Sequence, residues 1–168
     1  TGYVLQPTDY LTAPVFRVGD NFVRAEGLEF DGRNKTDDVL VGIKYTDSGE
    51  HDIRISDSLF YNHTINNKEI FENHSADSGA VYLYNNFFFE GSQGSSDGMW
   101  GVQNDNDADM HFFNNSMSFD NGDYGVYNIQ HGAVYAYNNA IFGLDESFKG
   151  SAIYGSHNLT DDANCNLS

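Results

Sequence analysis

Apolar residues along this chain fall at alternate positions in short bursts, and the bursts return. The octets GAVYLYNN (79–86) and GAVYAYNN (132–139) are nearly identical. Setting Val81 against Val134 aligns three further segments without gaps: VRAEGLEF from Val23, IRISDSLF from Ile53 and MHFFNNSM from Met110. Successive starts lie 30, 28, 29 and 24 residues apart, which predicts an internally repeated architecture. The first and third positions of each segment are apolar: Val23 and Ala25, Ile53 and Ile55, Val81 and Leu83, Met110 and Phe112, Val134 and Ala136. A period of two marks a strand with one face inside.

A small or polar pair then follows: Gly27 and Leu28, Asp57 and Ser58, Asn85 and Asn86, Asn114 and Asn115, Asn138 and Asn139. Asn, Asp and Gly tolerate left-handed backbone and bond their own main chain, so the pair predicts a corner. Beyond it runs a second apolar column, Phe30, Phe60, Phe88, Met117 and Ile141. Another strand is predicted before each segment, in APVFRV, VGIKYT, KEIF, GMWGVQ, YGVYNI and finally SAIYGS. One repeat of strand, corner and strand cannot bury its apolar face alone, and stacking of repeats does so.

The pattern I-x-I-x-N-N-x-[FI], recurring every 24 to 30 residues, resembles the right-handed parallel β-helix superfamily that includes pectate lyases, polygalacturonases and phage tailspikes. The polar corner residues Asp57, Asn85, Asn114 and Asn138 resemble that family's asparagine ladder. GSHNLTDDA, residues 155–163, is similar to a phrase common near the ends of such repeats. The resemblance implies an all-β, right-handed parallel β-helix solenoid of about five to six coils over residues 15–160. Residues 1–14 are then expected as an N-terminal cap or exchange segment and 161–168 as a polar tail.

The chain carries 25 acidic against 8 basic residues, a net charge of −17. That sign opposes nucleic-acid binding, which draws its affinity from Lys and Arg, and equally opposes an anionic membrane surface. No apolar run approaches the roughly 20 residues of a membrane span. With 15% aromatic content the composition is that of a folded anionic protein rather than a disordered acidic tail. The sequence begins at Thr1 without Met, which is expected of a mature or excised product. The single Cys165 excludes an internal disulfide and leaves either a spectator thiol or a bond to another chain. Asn-X-Ser/Thr sequons at Asn34, Asn62, Asn73, Asn114, Asn158 and Asn166 lean toward a secreted, glycosylated, extracellular protein.

Between the two inward positions of the repeated strand runs a column of Arg24, Arg54, Tyr82, His111 and Tyr135; beyond it runs Glu26, Ser56, Tyr84, Phe113 and Tyr137. Period-two logic places both columns outside, so Tyr82, Tyr84, His111, Phe113, Tyr135 and Tyr137 are expected as an outward aromatic ladder. An exposed apolar patch usually marks a partner. Three readings stay open here: stacking on sugar rings, contact with another subunit, or cover from the chain's own loops, such as GSQGSSDG at 91–98.

Asp105, Asp107 and Asp109 alternate along the chain as calcium ligands do, although Met110 and Ser116 stand where an EF-hand loop places its Gly and bidentate Glu. A solvated anionic turn is the competing reading. The family resemblance asks a lyase for a calcium site beside a basic residue, and a hydrolase for two carboxylates across the glycosidic bond. Arg54 with Asp57, or His111 with Asp109, is the nearest approach to an acid–base pair. His63, His74, His131 and His157 show no metal-ligand spacing, and no phosphate loop, nucleophile elbow or zinc motif is present. Catalytic residues are therefore unassigned. The expectation is a non-enzymatic extracellular protein that self-associates, with cations such as calcium offsetting its charge; the alternative is a polysaccharide-binding or polysaccharide-cleaving module.

Overall fold

The computed structural model describes residues 3–5, 16–18, 22–33, 40–43, 52–62, 69–74, 79–89, 100–105 and 107–162, and every regular element among them is a strand. In chain order these are β1 (Tyr3–Leu5), β2 (Phe16–Val18), β3 (Phe22–Glu26), β4 (Leu28–Asp31), β5 (Val41–Ile43) and β6 (Asp52–Ser56). Next come β7 (Leu59–Tyr61), β8 (Glu69–Asn73), β9 (Ala80–Tyr84), β10 (Phe87–Phe89), β11 (Trp100–Asn104) and β12 (Asp109–Phe113). The last five are β13 (Ser116–Asn128), β14 (Val134–Tyr137), β15 (Ala140–Gly150), β16 (Ile153–Ser156) and β17 (Leu159–Thr160).

All recorded strand pairs are parallel, and the chain winds as an all-β parallel solenoid with three sheet faces. The first face is a six-stranded sheet in the order β16-β14-β12-β9-β6-β3. The second stacks β1, β4, β7, β10, the start of β13, the start of β15 and β17. The third stacks β2, β5, β8, β11 and the later halves of β13 and β15. Strand β13 rounds the corner between two faces, with a register shift between Ser118 and Gly122. Opposite that shift Gly143 adopts φ 77°, and a Cβ there would lie 1.7 Å from the Phe119 carbonyl oxygen, so only glycine fits.

The repeat read from the sequence is the register of the structure. Val23, Ile53, Val81, Met110 and Val134 are successive partners, and so are Phe30, Phe60, Phe88, Met117 and Ile141. Both columns point inward. Phe30 stacks on Phe60 at 4.6 Å and Phe60 on Phe88 at 4.5 Å between ring centroids, spacings set by the distance of about 4.8 Å between neighbouring strands. All three rings are fully buried, each stabilising the fold by about 1.5–3 kcal/mol. The final repeat departs from expectation. Ile153 of SAIYGS continues the Val134 column instead of the preceding-strand column, whose last member is Phe148, opposite Val126.

The corner positions explain how the backbone turns. Gly27, Asp57, Asn85, Asn114, Asn138 and His157 all have positive φ, between 51° and 69°. Asp57, Asn85, Asn114 and Asn138 are exposed; Asn85 Nδ2 donates to Asp57 Oδ1 at 3.3 Å, and the continuous buried ladder lies one residue further on. A left-handed residue swings its side chain out of the turn, and the next residue, resuming extended backbone, points in. Asn86, Asn115, Asn139 and Asn158 form the inner ladder.

Each amide of that ladder serves the pass before its own. Asn115 Oδ1 accepts from the Asn86 N–H at 2.9 Å, and its Nδ2 donates to the Leu83 carbonyl at 2.9 Å. Asn86 treats Ser58 and Ile55 in the same way, Asn139 treats Asn115 and Phe112, and Asn158 treats Asn139 and Ala136. Ser58 closes the series by accepting from the Leu28 N–H and donating to the Ser56 carbonyl. A second ladder, absent from the sequence reading, joins Asn73, Asn104 and Asn128 at the ends of the third-face strands, with Nδ2 to Oδ1 distances of 2.7 and 3.0 Å.

Within the N-terminal segment, Tyr3–Leu5 pairs with Leu28–Phe30 of its own solenoid. The remainder of 1–14, the loop 91–98, Asn34, Cys165 and Asn166 lie outside the described residues. No helix among the described residues is long and apolar enough to cross a membrane.

Replacing Asn115 by Ala strands one buried N–H and one buried carbonyl, and is expected to cost about 2–4 kcal/mol. Asn85→Ala, which places an ordinary residue in left-handed backbone and gives up one exposed bond to Asp57, should cost about 1 kcal/mol, and Asn85→Gly should be close to neutral. Urea unfolding of the three variants checks the ranking; equal costs for Asn115→Ala and Asn85→Ala would mean the buried amide is not the stabilising one.

Candidate functional site

The outward positions of the first face assemble the aromatic ladder. Arg24, Arg54, Tyr82, His111 and Tyr135 are successive register partners, and Tyr154 extends the column by one strand. Tyr82 and His111 stack at 4.5 Å with planes 10° apart, His111 and Tyr135 at 5.0 Å and 16°, Tyr135 and Tyr154 at 5.8 Å and 30°. Beside it run Tyr84, Phe113 and Tyr137, with Phe113 against Tyr137 at 5.8 Å and His111 bridging to Phe113 at 5.6 Å. All six predicted residues are therefore on one surface, each half-buried.

In the column of Tyr82, His111, Tyr135 and Tyr154 the ring faces are turned toward one another, so edges and hydroxyls are what that column presents, whereas Phe113 and Tyr137 are tilted by 38°. A sugar stacks on the open face of a ring, and within the column those faces are occupied by neighbours. Cationic groups gather at one end. Arg54 lies over the Tyr82 ring at 4.9 Å, an arrangement that contributes about 0.5–1 kcal/mol when exposed. Asp52 fixes it there through hydrogen bonds of 2.7 and 3.0 Å and approaches Arg24 at 4.0 Å. The face thus changes along its length, from the Arg24, Arg54 and Asp52 charges at β3 and β6 to tyrosine at β14 and β16.

The proposed acid–base pairs are not assembled. Arg54 is bound by Asp52, while Asp57 stands exposed at its corner. His111 is held between two tyrosine rings, and Asp109 Oδ1 accepts the Ala133 N–H at 2.9 Å. Desolvation pushes the His111 pKa below the ordinary histidine value, and the Asp109 carboxylate, which pulls it upward, does not restore it.

The aspartates proposed as calcium ligands also part company. Asp105 meets His74 at 3.1 Å and accepts from the Gln130 amide, Asp107 meets His131 at 3.2 Å, and Asp109 is committed to Ala133. Among the described residues they form no shared cluster of ligand atoms. Asp161 and Asp162 accept the Gly143 and Ser147 amides.

No family model, curated protein or solved structure matches this chain.

The sequons divide by position. Asn73 and Asn158 donate their amide hydrogens within the two ladders. Asn62 donates to Asp31, whose buried carboxylate also binds Arg33. Burial raises the Asp31 pKa, but the bonds from Arg33 and Asn62 outweigh it and the net shift is downward. Asn114 is exposed. The sequence reading missed Tyr154, although IYGS repeats the alternation of VYAY. It also missed the meeting of His74 with Asp105, residues separated by one pass of the chain.

The neutral form of His111 is favoured in the folded state, so its stability contribution is full above the unfolded histidine value of about 6.5 and falls as pH drops below it. The melting temperature of the wild type should therefore decline more steeply between about pH 7 and 5 than that of His111→Phe, which keeps a ring in the stack. Parallel declines would show that the histidine is not desolvated.

Proposed function

We propose that this chain is a non-enzymatic β-solenoid that acts outside the cell by self-association through its aromatic first face, as a subunit of a filament or surface structure. The observation that carries the reading is the in-register stack of half-buried rings, preordered by one another and polarised from arginine to tyrosine. Ordered aromatic side chains lose little entropy on contact and are favoured at interfaces. An open assembly requires a heterologous contact, in which the Arg24 and Arg54 end of one copy meets the Tyr135 and Tyr154 end of the next.

Size decides how such contacts act. Six strands at about 4.8 Å spacing and five residues at about 3.3 Å give a face of roughly 24 by 16 Å. That is small beside the roughly 800 Å² per partner of a stable pairwise complex, so the reading requires many weak contacts repeated through an assembly. Cations that screen a net charge of −17 favour it by reducing repulsion between copies. Membership of the pectate-lyase-like and tailspike-like superfamily, with a polysaccharide as partner, is the second reading. It draws on the parallel solenoid, and the mutual occupation of ring faces along the Tyr82, His111, Tyr135 and Tyr154 column weighs against it.

The test is sedimentation velocity with electron microscopy at about 0.15 M salt, the ionic strength at which charge repulsion is screened beyond about 8 Å. Wild-type protein is expected to form concentration-dependent assemblies, and a Tyr82→Ser, Tyr135→Ser, Tyr137→Ser variant with unchanged circular dichroism is expected to remain monomeric. Isolated rods at every concentration, or unimpaired assembly by the variant, would overturn the proposal.

A further inference from the structure

Strands β8 and β11 run in register to their ends, with Asn73 opposite Asn104 and their buried amides bonded at 2.7 Å. The Asp105 N–H donates to the Asn73 carbonyl at 2.9 Å, so His74 and Asp105 leave the sheet side by side from a fixed base. Glu72 flanks Asn73 on its other side. His74 Nδ1 lies 3.1 Å from Asp105 Oδ2 and 3.6 Å from Glu72 Oε1, and the three atoms lie within 4.8 Å of one another.

We propose that Glu72, His74 and Asp105 bind a zinc-class divalent cation. Zinc takes imidazole nitrogen and carboxylate oxygen at about 2.0–2.2 Å, and two tetrahedral ligands at such lengths stand about 3.3–3.6 Å apart. The His74 separations bracket that edge. One imidazole nitrogen and two carboxylates converging on it form the mixed nitrogen and oxygen donor set that such a cation takes. Calcium fits poorly, because it takes six to eight oxygen ligands and avoids nitrogen. A second-sphere partner is also in place: the Gln130 amide donates to Asp105 Oδ1 at 3.2 Å, orienting the carboxylate whose other oxygen faces the site. The three side chains are partly exposed, His74 by 41%, Glu72 by 24% and Asp105 by 18%, so an ion reaches them from solvent. This site is separate from the aromatic face and stands whether or not the chain self-associates.

Calorimetric titration of chelator-stripped protein with zinc chloride tests it. One equivalent should bind, with affinity reduced at least about tenfold in His74→Gln and in Asp105→Asn. Asp107→Asn and His131→Gln, which alter the separate exposed pair at 3.2 Å, should bind as wild type. Cobalt chloride should give a visible absorption band that His74→Gln abolishes, and circular dichroism should show each variant folded. Absence of binding, binding indifferent to His74→Gln, or loss on altering Asp107 or His131 would overturn the assignment. Calcium chloride binding as tightly as zinc would do the same.

Discussion

Every turn of a parallel solenoid takes backbone N–H and C=O groups out of their sheets at a corner, in the interior, where water does not reach them. Left unpaired, each would cost about 1–3 kcal/mol, and the penalty would recur on every pass. One side chain type answers this, because a carboxamide both donates and accepts. Asn86, Asn115, Asn139 and Asn158 each take one N–H and one carbonyl from the neighbouring pass. Corner geometry, strand register and the stacking of the core all follow from that fixed alignment.

Once the passes are aligned, like side chains meet like at the strand spacing. Inside, this places phenylalanine on phenylalanine at 4.5–4.6 Å. Outside, the same spacing draws Tyr82, His111 and Tyr135 into a column at 4.5–5.0 Å. The outer face is therefore rigid for the reason the core is rigid, and its chemistry is that of ring edges, hydroxyls and one row of charge. Asp52 contributes by holding Arg54 over the end of the column.

The periodic columns were legible in the sequence because both registers, Val23 to Val134 and Phe30 to Ile141, depend on residue type at constant offset. The ladder was displaced by one position because the sequence pairs Asn with Asn, and only the positive φ of the first member decides which side chain turns inward. SAIYGS was placed on the wrong column because the last interval shortens: Ile153 follows Val134 by 19 residues, whereas earlier intervals are 24 to 30. The second ladder was hidden by its surroundings, with Asn73, Asn104 and Asn128 closing strands of dissimilar sequence. His74 was read as an isolated histidine because Asp105 lies 31 residues away, close to one repeat, and pairwise spacing along the chain carries no sign of that contact until the winding is fixed.

The inner ladder also has a sense of direction. Each of its carboxamides bonds backbone groups of the pass nearer the N-terminus, and Asn115 and Asn139 also donate to the amide of the pass that follows, at 3.3 and 2.9 Å. Along the axis, each pass seals open backbone groups of the one before it and presents an equivalent set to the next. The two ends of the ladder are therefore chemically unlike, and the stack has a polarity along its axis that its parallel strands share.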